Sequence, residues 1–458
     1  MNKENDNNLM EKIVSLSKRR GFVFQGSEIY GGLSGTYSAG PYGVELKKNI
    51  KDLWWKKFVQ SREDIVGIDG PILLHPKLWE VSGHTTGFND SMVDCKECKK
   101  RFRADHLVED ATGKDLEGNN EEMTRILQEE KIKCPNCKKS NWTEARNFNM
   151  MFKTEMANIE GDLYLRPETA GAIFIEFKNI VDSMHLKIPF GVAQTGKAFR
   201  NEIVAGNFIF RLREFEQMEI EYFIDPDAKW ESLFEKWLEL QEEFAMEIGA
   251  KKEDLRRYEH PKAKLSHYSK KTVDVEYKFP FGGFKELFGL AHRGDFDLSS
   301  HSKASNEKLE CYDQDTNKKY TPHVLEPTFG LERCLLVSLI SAYCEEEVNG
   351  ETRVVMRFPK KLAPVKVAIL PLSKKEDLSK QTRELFDSLK EEFACEYDET
   401  QSIGKRYRRQ DEIGTPYCVT FDFESLEDKS VTVRDRDTMK QERIKISELT
   451  NYLKKNLG

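Results

Sequence analysis

Hydrophobic residues recur along the chain at two spacings, near 3.6 and at 2, and the switches between them outline its elements. Over 9–20, Leu9, Ile13 and Leu16 share a helical face, and Gly21 offers a stop. VELKKNIKDLWWKKFV (44–59) repeats the helical spacing, with Leu46, Ile50, Leu53, Trp54 and Phe58 on one side. Its other side carries five lysines, a solvated face or, alternatively, a contact with RNA or a second subunit. Residues 26–43 are crowded with Gly and Tyr and read as loop, whereas 161–224 is rich in strand signals. Residues 229–248 form a predicted helix with Trp230, Leu233, Phe234, Trp237, Leu240 and Phe244 in one core stripe. Strand patterns return at 272–279 and 284–290, and HVLEPTFG leads into a helix predicted to run through ERCLLVSLISAYCEEEV.

A boundary is predicted near RFPKKLAPVK (357–366), where two prolines meet a basic run. Beyond it, VKVAILPL reads as a buried parallel-type strand and LSKQTRELFDSLKEEF as a helix, with YCVTFDF and KSVTVRDRD as further strands. That alternation predicts a separate α/β domain.

The chain has 458 residues, enough for several domains, and 33% of them are charged with mixed sign, which argues against disorder. The longest largely apolar run, Cys334 to Cys344, is too short to span a bilayer, and MNKENDNNLM lacks the apolar stretch of a signal peptide. A cytoplasmic protein with reduced thiols or metal-bound cysteines is expected. The net charge of −7 disfavours a non-specific nucleic-acid coat. Residues 360–458, however, carry 20 Lys+Arg against 19 Asp+Glu, so local basic patches remain available there.

The stretch 188–223 carries the most chemistry. IPFGVAQTGKAFRNE and LREFEQMEIEYF, joined by IVAGNFIFR, read as an antiparallel hairpin. Alternation puts Arg213, Phe215, Gln217, Glu219 and Glu221 on one face, and Glu214, Glu216, Met218, Ile220 and Tyr222 on the other. Strands disfavour glutamate, and a buried carboxylate needs a cation or several hydrogen bonds. The hairpin is either a solvated edge laced with ion pairs or the floor of a site where arginines meet phosphates and carboxylates meet an ammonium. Farther on, VLEPTFGLER reads as a strand, a turn and a helix start, with Arg333 in the first turn where anions are favoured.

These features together resemble class II aminoacyl-tRNA synthetases. FRNE followed by REF is similar to their second motif, and Gly-Leu-Glu-Arg to their third. RPETAGAIF (166–174), REFEQMEIEYF, EPTFGLER and TVRDRDTM (432–439) narrow the resemblance to the homodimeric glycyl-tRNA synthetases, over nearly the whole chain. The resemblance implies an α+β catalytic core, an antiparallel sheet flanked by helices, over 1–358. An insertion at 92–146 would interrupt it, and a mixed-sheet α/β anticodon-binding domain would follow at 359–458.

It also implies two steps: glycine attacks ATP to give glycyl-adenylate, and the glycyl group then moves to the 3′ end of glycine tRNA. Arg200 and Arg333 would be catalytic, Arg200 holding the α-phosphate and the substrate carboxylate, and Arg333 clamping the γ-phosphate. Glu202 would meet the adenine amino group, Phe215 would stack on the ring, and Arg211 would be a second phosphate donor. Asn201, Phe210, Leu212, Arg213 and Glu214 would complete the ATP site from the hairpin, and Leu287, Gly330, Leu331 and Glu332 from elsewhere. Mg²⁺ would bridge phosphate oxygens, with Glu286 the candidate carboxylate for metal or ATP contact. Glu168, Glu219 and Glu326 would surround the glycine amine, with Arg293 and Arg103 near the substrate. Phe215, Glu216, Gln217 and Met218 would line the glycine site from the hairpin, and Pro327, Thr328, Phe329 and Gly330 from the third motif. Thr328 departs from the serine expected there. A substrate without a side chain must be selected by rejecting a Cβ and gripping the ammonium.

Cys95-x₂-Cys98 and Cys134-x₂-Cys137 form a four-thiol set suited to a structural Zn²⁺, with free buried thiols or a redox pair as alternatives. The spacer between the pairs is long enough to require an inserted helix. GKRYRRQDEIGTPYCV places Lys405, Arg406, Arg408 and Arg409 beside Tyr407, a solvated surface or, given the resemblance, a contact for the anticodon stem. A related synthetase for serine, threonine or proline, and a synthetase-like protein without activity, remain as alternatives.

Overall fold

The computed structural model describes residues 3–114, 116, 118–157, 161–262, 265, 269–313 and 317–457. Its centre is a seven-stranded sheet built, in chain order, from β1 (Ile65–Ile68), β2 (Phe190–Phe199), β3 (Glu214–Ile224) and β4 (Leu255–Glu259). β5 (Lys271–Phe279), β6 (Gly283–Gly294) and β7 (His323–Gly330) complete it. The spatial order is β4-β5-β6-β7-β3-β2-β1, antiparallel throughout except for the parallel β1–β2 pair at one edge.

Five helices cover this sheet unequally. α1 (Lys3–Arg20) and α2 (Pro41–Trp55) come first; α2 starts three residues before its hydrophobic pattern because Pro41 occupies the first helical position. One turn of π-helix, Lys56–Gln60, extends α2, so the predicted stretch 44–59 is helical to its end. α3 (Ala170–Met184) interrupts the region read as strand-rich. α4 (Glu231–Glu247) carries the predicted aromatic stripe, and α5 (Leu331–Ala342) follows β7 directly. Trp54 and Phe58, with Trp237 and Phe244 of α4 and Phe329 of β7, join Met218, Ile220 and Leu335 in one buried cluster on the first sheet face. Each fully buried side chain of this kind contributes about 2–3 kcal/mol. The opposite face is covered by Ile173, Phe174 and Phe177 of α3 only at the end near Phe190, Phe223 and Val324. The rest of that face stays open for polar side chains.

Helix α5 stops at Ala342, short of the predicted end at Val348. Tyr343–Val348 is instead a strand paired with Glu351–Met356 across Asn349-Gly350, whose positive φ angles of 53° and 80° suit a tight hairpin. The Asn-Gly pair is the signal that outweighs the helical period.

Between α2 and α3 lies a small separate layer. Its three-stranded antiparallel sheet places Asn89–Asp94 between Arg101–Arg103 and Arg146–Asn149. Helices Ala104–Thr112 and Asn120–Glu129 cover it, supplying the helical insert expected between the two cysteine pairs. Val93, Val108, Met123, Leu127 and Trp142 make its own core.

The C-terminal unit is a five-stranded mixed sheet of β8 (Val367–Pro371), β9 (Cys395–Tyr397), β10 (Tyr417–Phe421), β11 (Ser430–Asp435) and β12 (Gln441–Lys445). Its order is β9-β8-β10-β11-β12, with β8 parallel to both neighbours. Helices α6 (Glu376–Leu389), α7 (Ile403–Ile413) and α8 (Ile446–Leu457) flank it. The basic run on α7 is mostly committed within the fold. Arg406 is 2% exposed and donates to the Pro371 and Asp398 carbonyls, Arg409 pairs with Asp398, and the Tyr407 hydroxyl lies 2.7 Å from Thr420. Lys405 is exposed, and Arg408 is half-buried, 3.4 Å from Glu351.

Buried charges clamp this unit to the preceding part of the chain. Asp411 of α7 accepts from Arg353 Nε at 2.8 Å and from Arg434 at 2.9 and 3.1 Å, with Arg353 and Asp411 each 1% exposed. Arg436 reaches the Phe358 and Gly414 carbonyls at 2.9 and 2.8 Å. The TVRDRDTM string therefore works here as a joint. Removing one partner of such a network strands the others without solvent. Asp411→Ala is expected to lower unfolding stability by about 3–5 kcal/mol, read as a lower urea midpoint with an unchanged slope.

Candidate functional site

The open part of the sheet face is where the strand alternation becomes chemistry. Along β3, Phe215, Gln217, Glu219 and Glu221 turn to this face, while Met218, Ile220 and Tyr222 enter the core beneath. The β3–β7 register pairs Glu219 with Thr328 and then resumes only at Tyr222 with Leu325. Pro327 has no N–H to donate, so the ladder opens beside Glu221 and Glu326. That gap puts carboxyl groups where a sheet would otherwise close.

A cavity of about 290 Å³ lies between the β2–β3 hairpin, the end of β7 and the start of α5. Arg200, Arg211 and Arg333 line it, with Phe210, Phe215 and Gln217 between them. The Arg200 guanidinium sits 5.4 Å from the Phe88 ring centre and 5.3 Å from that of Phe215. Its Nε donates to the Pro167 carbonyl at 3.2 Å, and among the described residues its two terminal nitrogens have no hydrogen-bond partner. Arg333, in the first turn of α5, reaches both the carboxylate and the carbonyl of Glu286 at 3.0 Å and lies 4.7 Å over Phe210. The Arg333 charge holds the Glu286 carboxyl below its usual range, against burial. Burial raises Glu202, and the nearby Arg211 and Arg200 act against that rise. Arg103 reaches the rim from the inserted layer, anchored on Asp105 at 3.0 Å and Asp90 at 3.0 Å.

Gln217 joins this cavity to a carboxylate cluster, donating to Glu219 Oε1 at 2.7 Å. The other Glu219 oxygen accepts from the Thr169 N–H at 3.0 Å and from its hydroxyl, while Thr328 Oγ1 stands 3.5 Å from Oε1. Burial pushes the Glu219 carboxyl up, and the charge of Glu168 pushes it further. Glu168 behaves oppositely. Burial would raise it, but His84, 3.4 Å away, then Arg293 and Arg200 outweigh that and hold it at about 2. Glu326 receives Arg293 at 2.8 Å, and Arg293 is fixed by Asp297 at 2.8 and 2.9 Å. Burial raises Glu326 against the pull of that guanidinium. One carboxylate is thus ionised beside others reluctant to ionise, an arrangement that favours an incoming cation over any buried anion.

Several expected residues stand elsewhere. Arg213 is turned away from the cavity, its guanidinium bonded to the carbonyls of Glu202 and Ser34, where it ties the hairpin loop to the N-terminal segment. Asn201 lines the same outer depression as Arg213 and donates its N–H to the Met150 carbonyl. Glu214 is exposed and paired with Lys197. Glu216 points to the opposite sheet face, held by Lys47 at 2.6 Å and Lys51 at 2.8 Å. Of the five lysines in 44–59, Lys47 and Lys51 are thereby ion-pair partners rather than solvated, and Lys57 pairs with Glu243 and Glu247. Glu332 touches the cavity but is bound to Lys47 and to the Glu216 N–H, fastening α5 to β3. Met218, Phe329 and Leu331 have no exposure and form the floor from below, and Pro327 is buried in β7. Arg293 is only 3% exposed and orients Glu326. Leu212, Leu287, Thr328 and Gly330 line the cavity.

Sequence reading missed His84, Phe88, Thr169 and Asp297. Thr169 was visible within RPETAG, and Arg293 and Asp297 lie four residues apart, across the turn from β6 into the next helix. His84 and Phe88 carried no signal, because only folding brings them against Glu168 and Arg200.

The four inserted-layer cysteines do converge. Their sulfurs lie within 4.8 Å of one another, with Cys95–Cys137 at 3.5 Å and Cys98–Cys134 at 3.7 Å. A tetrahedral metal with bonds of about 2.3 Å sets sulfurs about 3.8 Å apart, so the set can hold a metal ion. The two knuckles repeat one geometry: the Cys95 and Cys134 carbonyls accept from the Lys99 and Lys138 N–H groups at 2.9 Å. Lys99 and Lys138 sit at φ of 58° and 62°.

An antiparallel sheet with this third-motif helix start and a hairpin carrying Arg200 defines the core of a class II aminoacyl-tRNA synthetase. Family models agree: tRNA synthetase class II core domain (G, H, P, S and T) matches 152–342, and Anticodon binding domain matches 366–456. Glycyl-tRNA synthetase insertion domain 1 matches 90–125. The chain is 53% identical over 455 residues to a protein of Acetivibrio thermocellus named Glycine--tRNA ligase, covering 97% of each chain. A Caldanaerobacter subterraneus subsp. tengcongensis protein of the same name is 52% identical over 459 residues, with 98% of each covered. Another from Clostridium acetobutylicum is 51% identical over 465, with 99% of each covered. The chain belongs to the glycine--tRNA ligase family. Among the described residues no helix is long and apolar enough to cross a membrane.

If the thiol set is a structural metal site, purified protein carries about one metal ion per chain, and Cys95→Ser loses it and melts at lower temperature. Elemental analysis alongside thermal denaturation checks both.

Proposed function

We infer that this chain is an ATP-dependent glycine–tRNA ligase. It joins glycine to ATP as glycyl-adenylate and passes the glycyl group to the 3′-terminal ribose of glycine tRNA. The observation that carries this reading is Arg200: a guanidinium whose terminal nitrogens have no hydrogen-bond partner among the described residues, between the arginine-lined cavity and a cluster of carboxylates.

The glycine carboxylate oxygen attacks the α-phosphorus, the bond to the bridging oxygen breaks, and pyrophosphate leaves with the electron pair. Arg200 faces both the attacking carboxylate and the α-phosphate, so its charge counters the negative charge that builds up at the reacting phosphorus. The two flanking rings fix its plane, which lowers the reorganisation needed at the moment of reaction. Phe215 offers a stacking face for adenine, Glu202 an acceptor for its amino group, and Arg211 and Arg333 grip the outer phosphates. Mg²⁺ bound to phosphate oxygens would neutralise the leaving pyrophosphate. Glu286, already paired with Arg333, suits an ion held mainly by the nucleotide.

Glycine selection rests on Glu168, Glu219 and Glu326 around the ammonium. Thr169, Gln217 and Thr328 crowd Glu219, and the extra methyl of Thr328 relative to serine narrows the space available to a Cβ. A clash of this kind discriminates without a separate editing site. The four thiols suit Zn²⁺ best, since soft sulfur ligands in a tetrahedral set favour it. We assign 1–358, with the insertion at 92–146, to catalysis and 359–458 to the anticodon. The working form is a cytoplasmic homodimer, and the exposed Ile29, Tyr30 and Leu33 are apolar surface that a second copy can cover.

Arg200→Ala is expected to slow glycine-dependent ATP–pyrophosphate exchange by about 10²–10³-fold. Near-normal exchange would refute its role, and exchange with another amino acid in place of glycine would refute the substrate. Glu219 must be ionised to hold an ammonium, and its carboxyl lies above the usual range. The Michaelis constant for glycine is therefore expected to rise as pH falls toward that raised value. Glu219→Gln should increase it and flatten the profile, as measured by exchange between pH 5.5 and 8.

A further inference from the structure

A second cavity, of about 480 Å³, opens on the other flank of the catalytic body, away from Arg200. Three helices wall it: Pro76–Val81, α3, and Phe296–Ser305. Its floor is apolar, formed by Leu78, Val81, Ile175 and Leu309. His301 also lines it, 7% exposed. At the rim stand Lys77, Lys178 and His75, against the single carboxylate of Glu307. Lys77 donates to the Ala304 carbonyl at 3.1 Å, and Lys178 pairs with Asp182; both are exposed and free to turn.

Each wall ends at the carboxylate cluster described above. Pro76–Val81 leads to His84, which pairs with Glu168. Helix α3 begins at Thr169, which holds Glu219. Phe296–Ser305 carries Asp297 in its first turn, and Asp297 fixes the arginine that binds Glu326. A ligand wedged among the three helices would meet the far ends of the elements that set the three carboxylates.

We propose that this cavity is a second small-molecule site, for a compound with a compact apolar body and one anionic group, and that its occupancy is linked to glycine binding. The volume is in the range of small-ligand sites. The apolar body fills the floor beside His301, and the lysines meet the anion. Linkage requires that the ligand and glycine change each other's affinity by the same factor. The linkage rests on the glycine reading; the site itself does not.

The test is isothermal titration of the full chain with 4-phenylbutyrate, with and without saturating glycine, and with ATP present as a control. The expected result is one saturable site per chain that ATP does not displace, with an affinity that changes several-fold when glycine is added. Lys77→Glu combined with Lys178→Glu, both on the surface, should weaken binding about tenfold or more. No saturable binding, displacement by ATP, or undiminished binding by the double variant would overturn the site. Binding unchanged by glycine, in protein whose glycine-dependent exchange is intact, would overturn the linkage alone. Loss of exchange with glycine would instead fault the ligase reading and leave the site standing.

Discussion

Carboxyl groups do not belong on the inner face of a sheet, and the catalytic half of this molecule is organised around keeping them there. Glu168, Glu219, Glu221 and Glu326 crowd one patch of the central sheet, with Glu219 at 2% and Glu221 at 0% exposure. Such groups persist only where cations and donors are set against them. Arg293, His84, Thr169 and Gln217 do this, and each is fixed in turn: Arg293 by Asp297, Thr169 by the start of α3. The result is a patch whose negative potential is held in reserve. Full neutralisation would leave nothing for an ammonium, and full ionisation would open the sheet. Pro327 makes the patch possible by interrupting the ladder where the side chains need room.

Arg200 connects this patch to the arginine-lined cavity, and its field reaches Glu168, Glu219 and Glu286 alike. Activation joins a carboxylate to a phosphorus, so both must meet one cation. A planar guanidinium between two rings suits that task better than a mobile ammonium would. The bond from Glu332 to β3 locks the third-motif helix onto the hairpin, and the ion pair of Arg333 with Glu286 ties it to β6.

The strings that carry the family resemblance divide by task in the folded chain. FRNE and GLER build the cavity, whereas TVRDRDTM clamps the C-terminal unit through Arg434 and Arg436. The basic run of α7, which looked like a nucleic-acid surface, is largely spent on the fold: Arg406 and Arg409 satisfy carbonyls and Asp398 within their own domain. An arginine count along a segment is thus a poor guide to surface charge, because the same fork of donors that recognises phosphate also ties loops together.

The sequence alone determined what depends on local spacing. Period two on β3 separated the site face from the core face, the aromatic stripe of α4 was readable, and the paired cysteines announced a four-sulfur set. It misjudged the end of α5, where an Asn-Gly turn outweighed the helical period, and it missed α3, whose apolar run serves a helix as well as a strand. Only the tertiary structure decided which charges meet. It turned Arg213 and Glu216 away from the cavity, brought His84 and Phe88 from a distant loop, and made Thr169 the anchor of Glu219. Those choices depend on how helices and loops pack across the open sheet face. Such contacts join residues far apart in the chain, and no periodicity encodes them.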